Sequence, residues 1–149
     1  MKNFIFASIL FALLLTVNAA PFQLNKRAIT FFPCLSKDPI NFIGVKIETD
    51  PPKSGEKESF NAFGTLTKDI TNGKTILFIA YGDEKGNPID KPYTQNFTDS
   101  IKAGNPFNVS APDVPTPQLP DSYLINVIVK DPSEDIPIGC ATAAVGEIN

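Results

Sequence analysis

The chain has 149 residues, with 13 Lys and Arg against 16 Asp and Glu, no His, and a formal net charge of −3. A weakly acidic chain without a basic run is not built to grip nucleic acid or an anionic membrane patch, and without His it lacks the side chain that titrates near neutral pH. Its 14 prolines and nine glycines recur between short apolar runs, the punctuation of an all-β domain rather than of helices.

At the start, Lys2 supplies a positive charge and residues 4–17 are an almost unbroken apolar run. Val17-Asn18-Ala19 then places small residues where a signal peptidase reads, which predicts a signal peptide over residues 1–19. The run is shorter than the roughly 20 residues of a spanning helix. Cleavage after Ala19 directs one ordinary domain into the secretory route, so the protein is expected to be secreted or lumenal, with vacuolar and endosomal destinations included. Residues 20–32 are expected to form a mobile N-terminal segment. Lys26-Arg27 within it is either a processing site or a pair of solvated charges. Residues 33–149 make the folded domain.

Ile43, Val45 and Ile47 alternate with Gly44, Lys46 and Glu48 and predict a first half-buried strand. Asp50-Pro51-Pro52 ends it, because two rings fix φ and remove two backbone donors. After that turn Phe60, Ala62, Gly64 and Leu66 share one face of a second strand, with Ser59, Asn61, Phe63 and Thr65 on the other. A large ring, a methyl, a glycine and a leucine fill a core unevenly, which suggests a wall with room beside it. Residues 75–81 are continuously apolar and β-branched, as in a strand covered on both faces at the centre of a sheet. Weaker strands are expected at 93–97 and 106–110, with 111–120 as a proline-rich connector. Residues 122–130 alternate strongly, and 138–145 close the chain. About seven strands with a turn signal between each pair predict a two-sheet β-sandwich.

Cys34 precedes the first strand and Cys140 lies in the last. In an oxidising compartment such a pair is most simply a disulfide tying the termini together. Two free or metal-binding thiols are the weaker alternative, since no His is present to complete a zinc site. Asn96-Phe97-Thr98 and Asn108-Val109-Ser110 are N-glycosylation sequons. No catalytic residue is assigned. There is no G-x-S-x-G and no phosphate-cradling loop, and the acidic pairs Asp83-Glu84 and Glu134-Asp135 sit in turns as solvated charges. The chain is therefore expected not to be an enzyme and to hold no cofactor or metal.

A cysteine followed by a strand leads to D-P-P-K-S-G-E and then to F-x-A-x-G-x-L-T-K-D-I. An N-G-K turn follows, opening a long apolar strand that ends A-Y-G, and a late strand precedes the final cysteine. In that order the chain resembles the ML lipid-recognition family. The similarity is greatest to its fungal phosphatidylglycerol/phosphatidylinositol transfer proteins, with the lysosomal sterol carrier of the Niemann-Pick type C pathway more distant. It runs from Cys34 to Val145 and is most specific over residues 50–70. The resemblance implies an immunoglobulin-like β-sandwich, splayed to leave an apolar cavity for one lipid, and a bond between Cys34 and Cys140. One departure stands out: the middle cysteines that staple the loops around the cavity mouth are missing from residues 89–108, which implies a looser mouth.

The expected cavity lining is Phe60, Ala62 and Leu66 from the second strand, Phe78 and Ala80 from the third, Phe97 and Ile101 at the mouth, and Tyr123, Ile125 and Val127 from the late strand. For each of them ordinary core is the competing assignment. The expected function is lipid binding and transfer between membranes, the ligand a phospholipid or a sterol, by a monomer in transient contact with membrane surfaces. The alternative is a secreted interaction module, packed shut, that binds a protein partner through its loops.

Overall fold

The computed structural model describes residues 28–146; the expected signal peptide and the Lys26-Arg27 pair lie outside the described residues. Eight strands follow in chain order: β1 (Asn41–Phe42), β2 (Gly44–Ile47), β3 (Lys57–Thr65), β4 (Ile76–Asp83), β5 (Pro88–Asn96), β6 (Pro106–Pro115), β7 (Tyr123–Lys130) and β8 (Gly139–Val145). One sheet has the order β1-β8-β7-β4-β5 and the other β2-β3-β6. The fold is all-β, and no helix occurs among the described residues.

The extra strand arises because the expected first strand divides. Asn41 and Phe42 pair in parallel with Gly139 and Cys140 in the larger sheet, whereas Gly44 to Ile47 pair with Phe63 to Phe60 in the smaller one. Between them Ile43 is fully buried, so the chain changes sheets across the core. Gly44 permits the crossing, because the Phe63 ring occupies the space that a Cβ at position 44 would need.

The interior strands carry the core by alternation. Glu58, Phe60 and Ala62 of β3 point inward, as do Leu77, Ile79 and Tyr81 of β4 and Tyr123, Ile125, Val127 and Val129 of β7. Each large apolar side chain so buried stabilises the fold by roughly 1.5–3 kcal/mol. β4 is covered fully on one face only: Ile76, Phe78 and Ala80 are half-buried on the other.

Proline falls on the edges. β5 ends the larger sheet and β6 the smaller, and these two strands contain Pro88, Pro92, Pro106, Pro112 and Pro115. An edge tolerates a missing donor because one side of the strand has no ladder to complete. Both edges are also irregular. Ile79 and Tyr81 oppose Tyr93 and Ile89, so extra β5 residues bulge out at Asp90, Lys91 and Pro92, and Asp90 adopts φ 60°. Glu58 and Phe60 oppose Val114 and Ala111, so β6 bulges at Pro112-Asp113. Both strands are longer than the sequence suggests, and β6 absorbs part of the expected connector.

One end of the sandwich is closed. Phe97 and Phe107 meet edge to face with centroids 6.2 Å apart, joining the end of β5 to the start of β6. Ile70 and Ile101 exchange backbone hydrogen bonds of 2.8 and 2.9 Å, and Gly104 N–H donates to Leu66 C=O at 2.8 Å. A Cβ on Gly139 would collide with Ile43 and Leu66, so this glycine lets β8 approach the end of the core. Cys34 and Cys140 are bonded, with Cα atoms 5.8 Å apart. The described part of the segment expected to be mobile is tied down. Phe32 exchanges backbone hydrogen bonds with Thr142 (2.7 and 2.9 Å), and Ile29 N–H donates to the Asp50 carboxylate (3.1 and 2.9 Å).

Candidate ligand cleft and the polar cluster behind it

Of the residues expected to line a cavity, Phe60, Ala62, Leu66, Phe97, Tyr123, Ile125 and Val127 belong to one continuous core, and Ile101 packs against it. They are together, but the space between them is filled. Ala62, Ile125 and Val127 have 0% exposure, which leaves no room beside them for even a water molecule. Phe78 and Ala80 are on the wrong face. Their β7 partners are Ile128 and Asn126, and the Lys130 ammonium lies 4.6 Å from the Phe78 ring centroid on the sheet's outer side. Phe97 and Ile101 are not at a mouth either, because they sit in the hydrogen-bonded, closed end.

The opening is elsewhere, at the bulged edges. A cleft of about 280 Å³ runs between β5 and β6, lined by Asp90, Lys91, Pro92 and Tyr93 on one side and Val114, Pro115 and Pro117 on the other; Ile79 and Tyr81 form its floor. That volume is at the lower end of small-molecule sites, which run from roughly 300 Å³ upward. The two edges share no ladder. Gln95 bridges them: its amide donates to Ser110 C=O at 2.9 Å and accepts the Tyr93 hydroxyl at 2.7 Å. Beyond that bridge the bulges separate the edges.

Behind the cleft floor lies a buried polar cluster. Glu58 is 2% exposed, and its Oε1 accepts the N–H groups of Glu48 (3.1 Å), Thr49 (2.9 Å) and Ser59 (3.0 Å). Its Oε2 has no hydrogen-bond partner among the described residues, and neither do the hydroxyls of Tyr81 and Thr116. Thr116 is held by its backbone, which exchanges hydrogen bonds with Glu56 and Gly55 (3.0 and 2.9 Å). That places it diagonally from Glu58 on paired strands, within reach across the same face. Tyr81 faces them from the larger sheet, its ring 6.3 Å from that of Tyr123. Burial pushes the Tyr81 phenol up to about 12; the nearby Thr116 hydroxyl offsets part of the rise without completing a hydrogen bond, and the Glu58 carboxyl adds to it. Tyr123 is likewise pushed up to about 12, by burial first and then by Asp50 and Glu58.

Sequence reading passes over Glu58, Tyr81 and Thr116 as site residues. Glu58 was detectable, since it stands two residues before Phe60 and so in phase with the inward face. The sequon residues Asn96 and Asn108 are both exposed, with Phe97 buried beneath the first. Asn108 Oδ1 accepts a 2.7 Å hydrogen bond from the Asn61 amide. No cluster of three or more metal-ligating side chains occurs among the described residues.

This architecture is an immunoglobulin-like β-sandwich. The chain is similar in structure to chicken MD-1, solved in complex with lipid IVa: TM-score 0.51 at 12% identity, over 79% of this chain and 88% of that one. At that identity the likeness is one of fold. A β-glucuronidase of Bacteroides uniformis also matches, at TM-score 0.44 and 16% identity over 69% of this chain and 13% of the enzyme, and supports nothing further. No protein-family model matches the sequence, and no curated protein matches it.

Proposed function

We propose that the protein is a secreted or lumenal carrier of the ML type that takes up one lipid between its sheets and transfers it between membranes. The observation that carries this reading is the β5–β6 edge, where two bulged edge strands that do not pair with each other leave a cleft floored by core residues Ile79 and Tyr81. The fold shared with MD-1, whose structure contains lipid IVa, supports it. A lipid chain entering by this edge gains about 0.8 kcal/mol per methylene removed from water. The cleft is too small for a whole lipid, so loading requires the edges to part, with the Gln95 bridge the first contact to yield. In this reading the ligand is a phosphatidylglycerol- or phosphatidylinositol-like phospholipid or a sterol. The protein acts as a monomer touching membranes transiently, any glycans are carried on Asn96 and Asn108, and the role is carriage without catalysis.

The filled core favours a second reading, a closed sandwich that binds a protein partner through its loops. Native mass spectrometry of the secreted protein, with a vesicle transfer assay, separates the two. A carrier retains lipid and moves it; a closed module does neither. Ala62→Phe sharpens the test. With no space beside Ala62, overpacking is expected to cost about 1–3 kcal/mol in chemical denaturation, and an unchanged midpoint would show that the sheets part there readily.

A further inference from the structure

The three unpartnered atoms behind the cleft form a set with a definite hydrogen-bonding demand. As a carboxylate Glu58 only accepts, and with Oε1 already engaged by three N–H groups, Oε2 is the oxygen left to accept. The hydroxyls of Tyr81 and Thr116 can each donate. Around them the walls are apolar: Ile79, Val114 and Ile125 are buried at the same depth. Leaving such groups unmatched is costly, and most buried polar atoms in folded proteins have a partner.

We infer that Glu58, Tyr81 and Thr116 form a site for the hydroxyl of a neutral lipid alcohol. An alcohol has one donor and two acceptor positions, so it can donate to Glu58 Oε2 while accepting from Tyr81 and Thr116. Phosphatidylglycerol also carries headgroup hydroxyls, but its phosphodiester would bring negative charge against the buried carboxyl. The apolar walls require the rest of the ligand to be hydrocarbon. Access is through the cleft once its edges part, because Tyr81 is part of its floor and Thr116 lies between the lining residues Pro115 and Pro117. This assignment rests on the carrier reading and narrows its ligand from lipids in general to uncharged ones ending in a free hydroxyl.

The test offers the full secreted protein phosphatidylcholine vesicles containing radiolabelled cholesterol, dioleoylglycerol or phosphatidylglycerol in separate arms, and measures lipid recovered with the protein after gel filtration. Cholesterol or dioleoylglycerol should load in preference to phosphatidylglycerol, the two neutral arms distinguishing a ring body from flexible chains. Tyr81→Phe and Thr116→Val, which remove one hydroxyl each, should lower neutral-lipid loading about tenfold. Both should leave the thermal midpoint unchanged or higher, since they delete unmatched polar groups. Glu58→Gln turns the accepting oxygen into a donor and should have the same effect on loading. If phosphatidylglycerol loads and neutral lipids do not, or if loading ignores Tyr81→Phe and Thr116→Val, the hydroxyl site is wrong and the carrier reading stands. No loading in any arm overturns both.

Discussion

The two ends of the sandwich are built on opposite principles. At one, Leu66, Ile70, Phe97 and Phe107 are buried among apolar neighbours, and the loops above them are joined by backbone hydrogen bonds and a disulfide. At the other, Glu58, Tyr81, Thr116 and Tyr123 reach the same depth, and three of their polar atoms go unmatched, each at a cost of about 1–3 kcal/mol. The contrast is one of stability: the sealed end supplies it, and the polar end gives some of it up by leaving hydrogen-bonding capacity unfilled.

Three measurements test that division. Replacing Cys34 and Cys140 together by Ser removes the cross-link over a separation of 106 residues and should lower unfolding free energy by roughly 4 to 5 kcal/mol on the chain-entropy model. A urea midpoint unaffected by the change would show that the sealed end does not depend on it. Phe107→Ala, which empties the edge-to-face contact with Phe97, should cost about 3 to 5 kcal/mol, in contrast to the near-neutral Thr116→Val at the far end. Comparable losses for the two would abolish the distinction. The third measurement concerns alkali. The phenols of Tyr81 and Tyr123 rise from 10.0 to about 12 on folding, so between those values the unfolded chain releases protons that the folded one retains. Stability should therefore fall as pH rises through this window, by about 1.4 kcal/mol per pH unit for each tyrosine. Tyr81→Phe should make the decline shallower by that amount.

The sequence conveyed the interior strands well, because β3 and β7 alternate and alternation fixes which face is inward. It failed where alternation is missing. Residues 76–81 are apolar throughout, so nothing within β4 says which phase is buried, and Phe78 and Ala80, expected inside, face the outer side. The information lay one strand away: Asn126 and Lys130 mark the outer face of β7, and they pair with Ala80 and Ile76. The edges misled for another reason. The expected strands begin after Pro92 and stop before Pro112, which are the positions where β5 and β6 bulge. Proline read as a strand's end is here a strand's distortion, and the cleft lies at those distortions.

The same prolines decide what can be added to the molecule on that side. An exposed edge normally invites another strand to dock, since its free N–H and C=O groups form half a ladder. Pro88, Pro92, Pro106, Pro112 and Pro115 withhold the donors along β5 and β6, and the bulges break the spacing that a docking strand would need. An extended peptide therefore finds no template there, nor does the matching edge of a second copy. A molecule without repeating backbone polarity, recognised by shape and a few fixed contacts, loses nothing by that absence, so the edge can stay parted for such a guest without becoming a site for fibre growth.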